Sequence, residues 1–433
     1  MGQGHAEHGL YIRAGRLITG EGSDVIEDAA VHVSGGRIVA AGRAQDVAPA
    51  AGATAVDYPQ GTVLPGLIDA HVHLTFRRGE TSVEHAQLVS DAMALLRGVQ
   101  AARRVLAAGV TTVRDCGARG RVAQDLRDGV RSGLIAGPRI LASGPPVTTT
   151  SGHLWALGYE ADTGAAACQA VRRLVKEGAD FIKVCATGGG MTPGSMIGRA
   201  QYSVEDLRAV AEDAHRLGRH VAAHAHGTEG LARAVAAGID TIEHCSWLDA
   251  AGTGQAFNED VAREMAARGT FANVASGAPR PLVERDAPLV QGGNGEHQDV
   301  DGTDAPASTH DIASHPTSSP AQAIARWEHA RRAKELGVAV LFSTDAIYGV
   351  WDDGHDLSYL AQVLVEAAGF SNLDVLQMIT AVPARAIGWG DRLGTVAPGK
   401  LADLVVVDGN PARDIRALQR VLAVYQEGRQ LSG

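Results

Sequence analysis

Leu64-Pro65-Gly66-Leu67-Ile68-Asp69-Ala70-His71-Val72-His73-Leu74 joins a turn, an apolar run and two histidines within eleven residues. Leu67 to Val72 is an apolar run of strand length, entered through a Pro-Gly turn and closing on two histidines one residue apart. Side chains alternate between faces along a strand, so His71 and His73 share a face and can grip one metal ion. A pair of histidines on a solvated strand edge is the bland alternative. The sequence on either side weighs against it.

Downstream, apolar runs of the same kind recur: 112–115, 140–142, 181–184, 220–225, 241–244, 270–274 and 338–343, eight with the first. Segments of helical period separate most of them. The clearest is Ser203 to Arg219, where Ser203 can cap the helix, Asp206 stands at the capping-box position and Gly218 ends it. Parallel strands need crossovers long enough for a helix, so the alternation predicts an α/β fold, a (β/α)8 TIM barrel, with a doubly wound open sheet as the rival. Upstream, short β-runs at 10–12, 30–33, 38–41 and 55–57 are broken by turns such as Ser34-Gly35-Gly36. β-character returns at 393–407, around the Pro398-Gly399 turn, and at 421–425. The two ends are therefore expected to pair into a small β-sandwich domain, with residues 1–64 and 391–433 flanking a barrel over 65–390. Ala278 to Pro320, rich in Gly, Asp, His, Ser and Pro, reads as a mobile loop or lid.

Catalytic groups of such a barrel sit at the C-terminal ends of its strands. His71 and His73 end the first strand, His224 the fifth, His244 the sixth and Asp345 the eighth. Lys183 lies inside the apolar fourth run, Phe181-Ile182-Lys183-Val184-Cys185, where an ammonium is costly to bury without a partner. It could snorkel to the barrel rim. Alternatively, burial and neighbouring cations lower its pKa, and its amine takes up carbon dioxide as a carbamate whose two oxygens bridge two metals.

The runs LPGLIDAHVHL, FIKVCATGGG, AHAHG, IEHC and FSTDA together resemble the strand-end signatures of the amidohydrolase superfamily of metal-dependent hydrolases, over almost the whole chain. The resemblance implies two divalent ions, zinc for preference. His71 and His73 would hold the first and His224 and His244 the second, with the Lys183 carbamate bridging and Asp345 binding the first ion and shuttling protons. It implies cleavage of an amide C–N bond, in a dipeptide or N-acyl amino acid, by a metal-bridging hydroxide. The segment from Ala186-Thr187-Gly188-Gly189-Gly190 to Gln201-Tyr202-Ser203 further resembles the prolidase and carboxypeptidase-like dipeptidase branch, or the imidazolonepropionase-related one. In the dipeptidase branch the position two after the fifth-strand histidine is often a tyrosine that polarises the scissile carbonyl; here it is His226, and the departure leaves the substrate open. By the same resemblance His153 meets the substrate carboxylate, against a solvated loop histidine as the alternative.

Two rivals remain: a mononuclear deaminase or cyclic-amide hydrolase in which His226 or Glu229 handles protons, and a non-catalytic scaffold, which all six filled ligand positions disfavour. Glu243 reads as a supporting carboxylate, Cys185 and Cys245 as buried inert thiols, and His355 as either a substrate contact or a surface-loop residue. The net charge of −10 without any basic run excludes nucleic-acid and acidic-membrane partners, leaving a small-molecule substrate and room for a homo-oligomer. Met1-Gly2-Gln3-Gly4-His5-Ala6 carries no signal-peptide or myristoylation pattern, and no run approaches 18 apolar residues, so a cytoplasmic address is expected. Four cysteines without C-x-x-C spacing point to reduced thiols.

Overall fold

The computed structural model describes residues 9–22, 25–76, 88–276, 320–347 and 355–432. The N-terminal segment forms four strands, β1 (Leu10–Ile18), β2 (Val25–Ser34), β3 (Arg37–Arg43) and β4 (Thr54–Pro65). β1 pairs antiparallel with β2 and parallel with β4. Gly66 then turns the chain into β5 (Leu67–His73). A Cβ at Gly66 would run into the Thr111 side chain, so only glycine lets this strand entry lie so close to its neighbour.

β5 is followed by β6 (Val110–Asp115), β7 (Arg139–Ala142), β8 (Val147–Thr148), β9 (Tyr159–Glu160), β10 (Ile182–Cys185), β11 (Val221–Gly227), β12 (Thr241–Leu248), β13 (Phe271–Ala275), β14 (Val340–Ser343) and β15 (Ala346–Ile347). Every one of the eight expected runs overlaps one of these strands. The two-residue strands β8, β9 and β15 were not anticipated, being too short to carry a periodic signal. These strands pair with one another in parallel, in two sheets ordered β14-β13-β12-β11-β10-β8-β9 and β15-β5-β6-β7. The sheets approach each other twice: the Asp345 N–H donates to the His71 carbonyl (2.9 Å), and the Asp180 N–H donates to the Ala142 carbonyl (2.9 Å).

Helices cover the strands for an ordinary amphipathic reason. In Val204–Arg216 the residues Leu207, Val210, Ala211 and Ala214 fall on one face and are buried, while Glu205, Arg208 and Arg216 stay on the other. The Ser203 hydroxyl accepts from the Asp206 N–H (3.1 Å), a cap contributing about 1 kcal/mol, and Gly218 in the left-handed region (φ 69°) lies just past the end.

At the C-terminus β16 (Leu404–Asp408), β17 (Val421–Gln426) and β18 (Arg429–Ser432) extend the N-terminal sheet, β16 pairing antiparallel with β4 through Leu404↔Pro65 to Asp408↔Gly61. The result is one continuous sheet, ordered β18-β17-β16-β4-β1-β2-β3, rather than two separately hydrogen-bonded layers. It curls on itself: the Ile38 N–H donates to the Lys400 carbonyl and the Gly399 N–H to that of Ile38 (2.9 and 2.8 Å), enclosing Ile12, Leu17, Val31, Leu404 and Tyr425. Because 399–401 is committed to that contact, the β-run expected over 393–407 narrows to β16. The loop expected at 278–320 lies outside the described residues except for Pro320, which opens the helix Pro320–Glu335. Among the described residues no helix is long and apolar enough to cross a membrane.

Candidate metal centre

The parallel strands bring the predicted ligands to one place. His71 and His73 on β5, Lys183 on β10, His224 on β11 and His244 on β12 are each at most 5% exposed. Asp345 joins them from the β14–β15 connection: Oδ1 lies 3.4 Å from His71 Nε2 and 3.7 Å from His73 Nε2, and Oδ2 lies 3.8 Å from His244 Nδ1. Lys183 Nζ stands 3.3 Å from His71 Nε2, and among the described residues no carboxylate pairs with it. The His224 and His244 rings are 4.5 Å apart, and those of His71 and His244 5.0 Å. Among the described residues three ligand-type groups gather here, His71/His73/Asp345, His224/His226/His244 and, behind His71, His71/Cys116/Glu243.

Protonation follows from the surroundings. His71 Nδ1 faces a Glu243 oxygen (2.7 Å), His73 Nδ1 the Gly117 carbonyl (3.0 Å), His224 Nε2 the Gly188 carbonyl (3.0 Å) and His244 Nδ1 the Ala275 carbonyl (3.2 Å). Those partners only accept, so each fixes a proton on that nitrogen and leaves a lone pair on the other. Burial, reinforced by Lys183, lowers His71 to about 3 and His73 to about 4; burial and neighbouring imidazoles hold His224 and His244 well below the ordinary value. All four are thus neutral near pH 7, as ligation requires. His244 Nε2 is buried with no hydrogen-bond partner among the described residues, a costly state unless a ligand satisfies it. The donor set and this orphaned atom fit divalent metal ions.

His226 and His153 are tethered differently. His226 Nδ1 meets the Ser246 hydroxyl (2.8 Å) while its ring stacks on His244 at 4.3 Å, and His153 Nδ1 meets the Thr192 hydroxyl (3.1 Å) with its ring 4.3 Å from His224. A hydroxyl donates or accepts, so neither imidazole is locked as a lone-pair donor. His153 is buried, so the solvated-loop alternative does not hold. Phe76, Leu154, Leu157, Cys185 and Met191 form an apolar cluster beside them, with Phe76 stacked on His73.

His244 (φ 69°), Cys245 (45°) and Asp345 (49°) occupy the left-handed region, unfavourable for side chains with a Cβ and common where structure is held for function. That backbone breaks strand alternation, which is how the neighbours Glu243 and His244 both reach His71. Cys185 and Cys245 are buried, and burial raises both thiols, Cys185 to about 12, so neither is a ready nucleophile. Glu229 is exposed and pairs with Arg233 at 2.5 Å. His355 precedes the helix Asp356–Glu366 and touches the Ser358 hydroxyl (3.3 Å).

Several supporting residues escaped the sequence reading. Asp69 accepts from the Thr344 hydroxyl (2.6 Å) and N–H (3.2 Å), bracing the turn that carries Asp345. Asp115 accepts from the N–H groups of Leu74 (3.0 Å) and Gly117 (3.2 Å), holding the carbonyl that tethers His73. Arg114, wholly buried, pairs with Glu243 at 2.5 Å. Its signal was legible: an arginine inside Val110-Thr111-Thr112-Val113-Arg114 demands a partner for the same reason as Lys183.

Neutral imidazoles around a buried lysine and a carboxylate at the strand ends define a metal-dependent hydrolase of C–N bonds. The chain belongs to the amidohydrolase family, whose model matches residues 62–431. Ochratoxinase of Aspergillus niger is 28% identical over 445 residues, spanning 95% of this chain and 84% of the relative. An imidazolonepropionase of Rhizorhabdus wittichii is 26% identical over 437 residues, 92% of each chain. The crystal structure of a Xaa-Pro dipeptidase with bound methionine in its active site superposes with a TM-score of 0.77 at 28% identity, covering 98% of this chain and 100% of that one.

Proposed function

We propose that this chain is a binuclear amidohydrolase that cleaves the amide bond of an N-acyl amino acid or dipeptide. The observation that carries the reading is the convergence of His71, His73, His224, His244 and Asp345 around Lys183, with each imidazole tethered through one ring nitrogen to an acceptor so that the other carries its lone pair. His71, His73 and Asp345 would hold one divalent ion, His224 and His244 the other, zinc being the natural choice for such donors. Lys183 would join the halves as a carbamate, its amine nitrogen bonding to carbon dioxide with release of a proton to solvent. The bound ions supply a water nucleophile active near neutral pH and withdraw charge from the scissile carbonyl.

The protein's own groups do the rest. Asp345 accepts the proton of the attacking water and returns it to the leaving nitrogen; its side chain is 24% exposed, more than that of His71, His73 or His244 beside it. His226 donates to the carbonyl oxygen in place of a tyrosine, oriented by Ser246. His153 binds the substrate carboxylate, and the apolar cluster from Phe76 to Met191 excludes water from the adjoining side chain. The bond from Asp345 N–H to His71, the approach of Asp180 to Ala142, and Arg114 reaching from β6 to the Ala70 carbonyl on β5, Glu243 on β12 and the Phe181 ring all support a closed eight-stranded barrel around this centre.

The test is a screen of dipeptides, N-acyl amino acids and cyclic amides with metal-replete protein, alongside metal analysis and mass spectrometry of the Lys183 peptide. Turnover of amides with two ions per chain and a carbon dioxide adduct is expected. Ammonia release from heterocycles with one ion per chain would replace this reading with the mononuclear deaminase.

A further inference from the structure

Among the four imidazoles with a lone pair facing the centre, His71 is tethered by a charge. Both oxygens of Glu243 are engaged: Oε1 accepts from the Arg114 guanidinium (2.5 Å), and Oε2 accepts from His71 Nδ1 (2.7 Å) and the Asn273 amide (2.8 Å). Glu243 and Arg114 are 0% and 2% exposed, and Arg114 is itself anchored on the Ala70 carbonyl (2.7 Å) and the Thr241 hydroxyl (3.5 Å). The Arg114 guanidinium is the cation that faces the buried carboxylate, 2.5 Å from Oε1. The other three imidazoles are held by neutral backbone carbonyls of Gly117, Gly188 and Ala275. An anion behind an imidazole N–H makes the opposite nitrogen a stronger donor than a carbonyl does, and partners of this kind typically change metal affinity by about 10- to 100-fold.

We propose that Glu243, held by Arg114 and Asn273, is a positioning residue that makes the His71/His73/Asp345 half of the centre the tighter of the two ion sites, so that the protein fills in a fixed order. The inference rests on the two-ion reading above, and its consequence is a stable one-ion form with the His224/His244 half filled second.

The experiment titrates chelator-treated full-length protein with Zn2+, following heat and bound metal, and locates the first ion by anomalous scattering from crystals grown at one equivalent. Two steps separated by about tenfold or more are expected, with the first ion among His71, His73 and Asp345. The variant R114M/E243Q removes both buried charges together, so no lone charge is stranded. It should weaken the first step about 10- to 100-fold and leave the second unchanged. A first ion among His224 and His244, two equal steps, or a folded double variant with both steps unaltered would overturn the proposal. Should that variant fail to fold, long-range nitrogen–proton spectra of histidine-labelled, metal-free wild type decide: a proton on Nδ1 of His71 supports it, and one on Nε2 overturns it. Saturation at one ion per chain would instead overturn the two-ion reading, with the nitrogen spectrum still deciding what Glu243 does.

Discussion

Replacing Gly189 by alanine should imitate the loss of His153 without touching a metal ligand. A Cβ at Gly189 would lie 2.4 Å from Cε1, 2.5 Å from Nε2 and 2.7 Å from Nδ1 of His153, whereas ordinary contact begins near 3.4 Å, so the ring must retreat by about 1.0 Å. The Thr192 hydroxyl is already 3.1 Å from Nδ1, and such a shift carries the ring beyond hydrogen-bond reach of it and of a substrate carboxylate. Gly189 is not in the left-handed region, so alanine adds no backbone strain. A hydrogen bond to a charged group contributes about 1.5–3 kcal/mol, so kcat/KM for an N-acyl amino acid should fall about 10- to 150-fold. The assay compares that substrate with its carboxamide counterpart, which lacks the charge, and checks folding by circular dichroism and metal by elemental analysis. The wild type should prefer the acid, and Gly189→Ala should lose that preference, as His153→Ala does. A folded, metal-loaded Gly189→Ala protein with its preference intact would refute the placement of the carboxylate at His153.

Asp345→Asn should keep the ions of the proposed centre, where the histidines and the Lys183 carbamate would still hold them, and lose about 10²- to 10⁴-fold in kcat, read by steady-state kinetics beside metal analysis. Arg114→Met alone should destabilise the fold by about 3–5 kcal/mol in urea unfolding, because the buried Glu243 loses the cation that pairs with it; R114M/E243Q should recover most of that loss. Asp240 accepts from His215 (2.7 Å), stands 3.5 Å from His220, and is held below 3.8 by its hydrogen bonds to His220 and His215 despite burial, while His220 is held above 6.5 by Asp240. The carboxylate's contribution is present above its unfolded pKa and lost as pH falls through the folded one. That of His220 is present below 6.5 and lost as pH rises through its folded value. Asp240→Asn should therefore lower the melting temperature most near pH 5–6, and a gap that grows steadily toward pH 9 would contradict the pairing.

Much of the centre was legible because parallel strands print their period on the sequence. His71 and His73 share a face by alternation alone, and His224, His244 and Asp345 each stand where an apolar run stops. The supporting layer was less legible. Glu243 and His244 are neighbours that alternation would send apart, yet both reach His71, since the chain turns left-handed at His244. Asp69 meets Thr344 across 275 positions of chain, a separation over which no periodic pattern carries information.

The order of residues by itself determined which side chains could bind metal, that parallel strands alternate with helices, and that both ends are β-structured, because these follow from local period and residue chemistry. Packing in three dimensions fixed the merging of the ends into one curled sheet, the ring nitrogens that carry protons, and which histidines are tied to carbonyls and which to hydroxyls. Those outcomes depend on distant groups meeting in a buried space, where a single acceptor within about 3 Å sets the state of an imidazole.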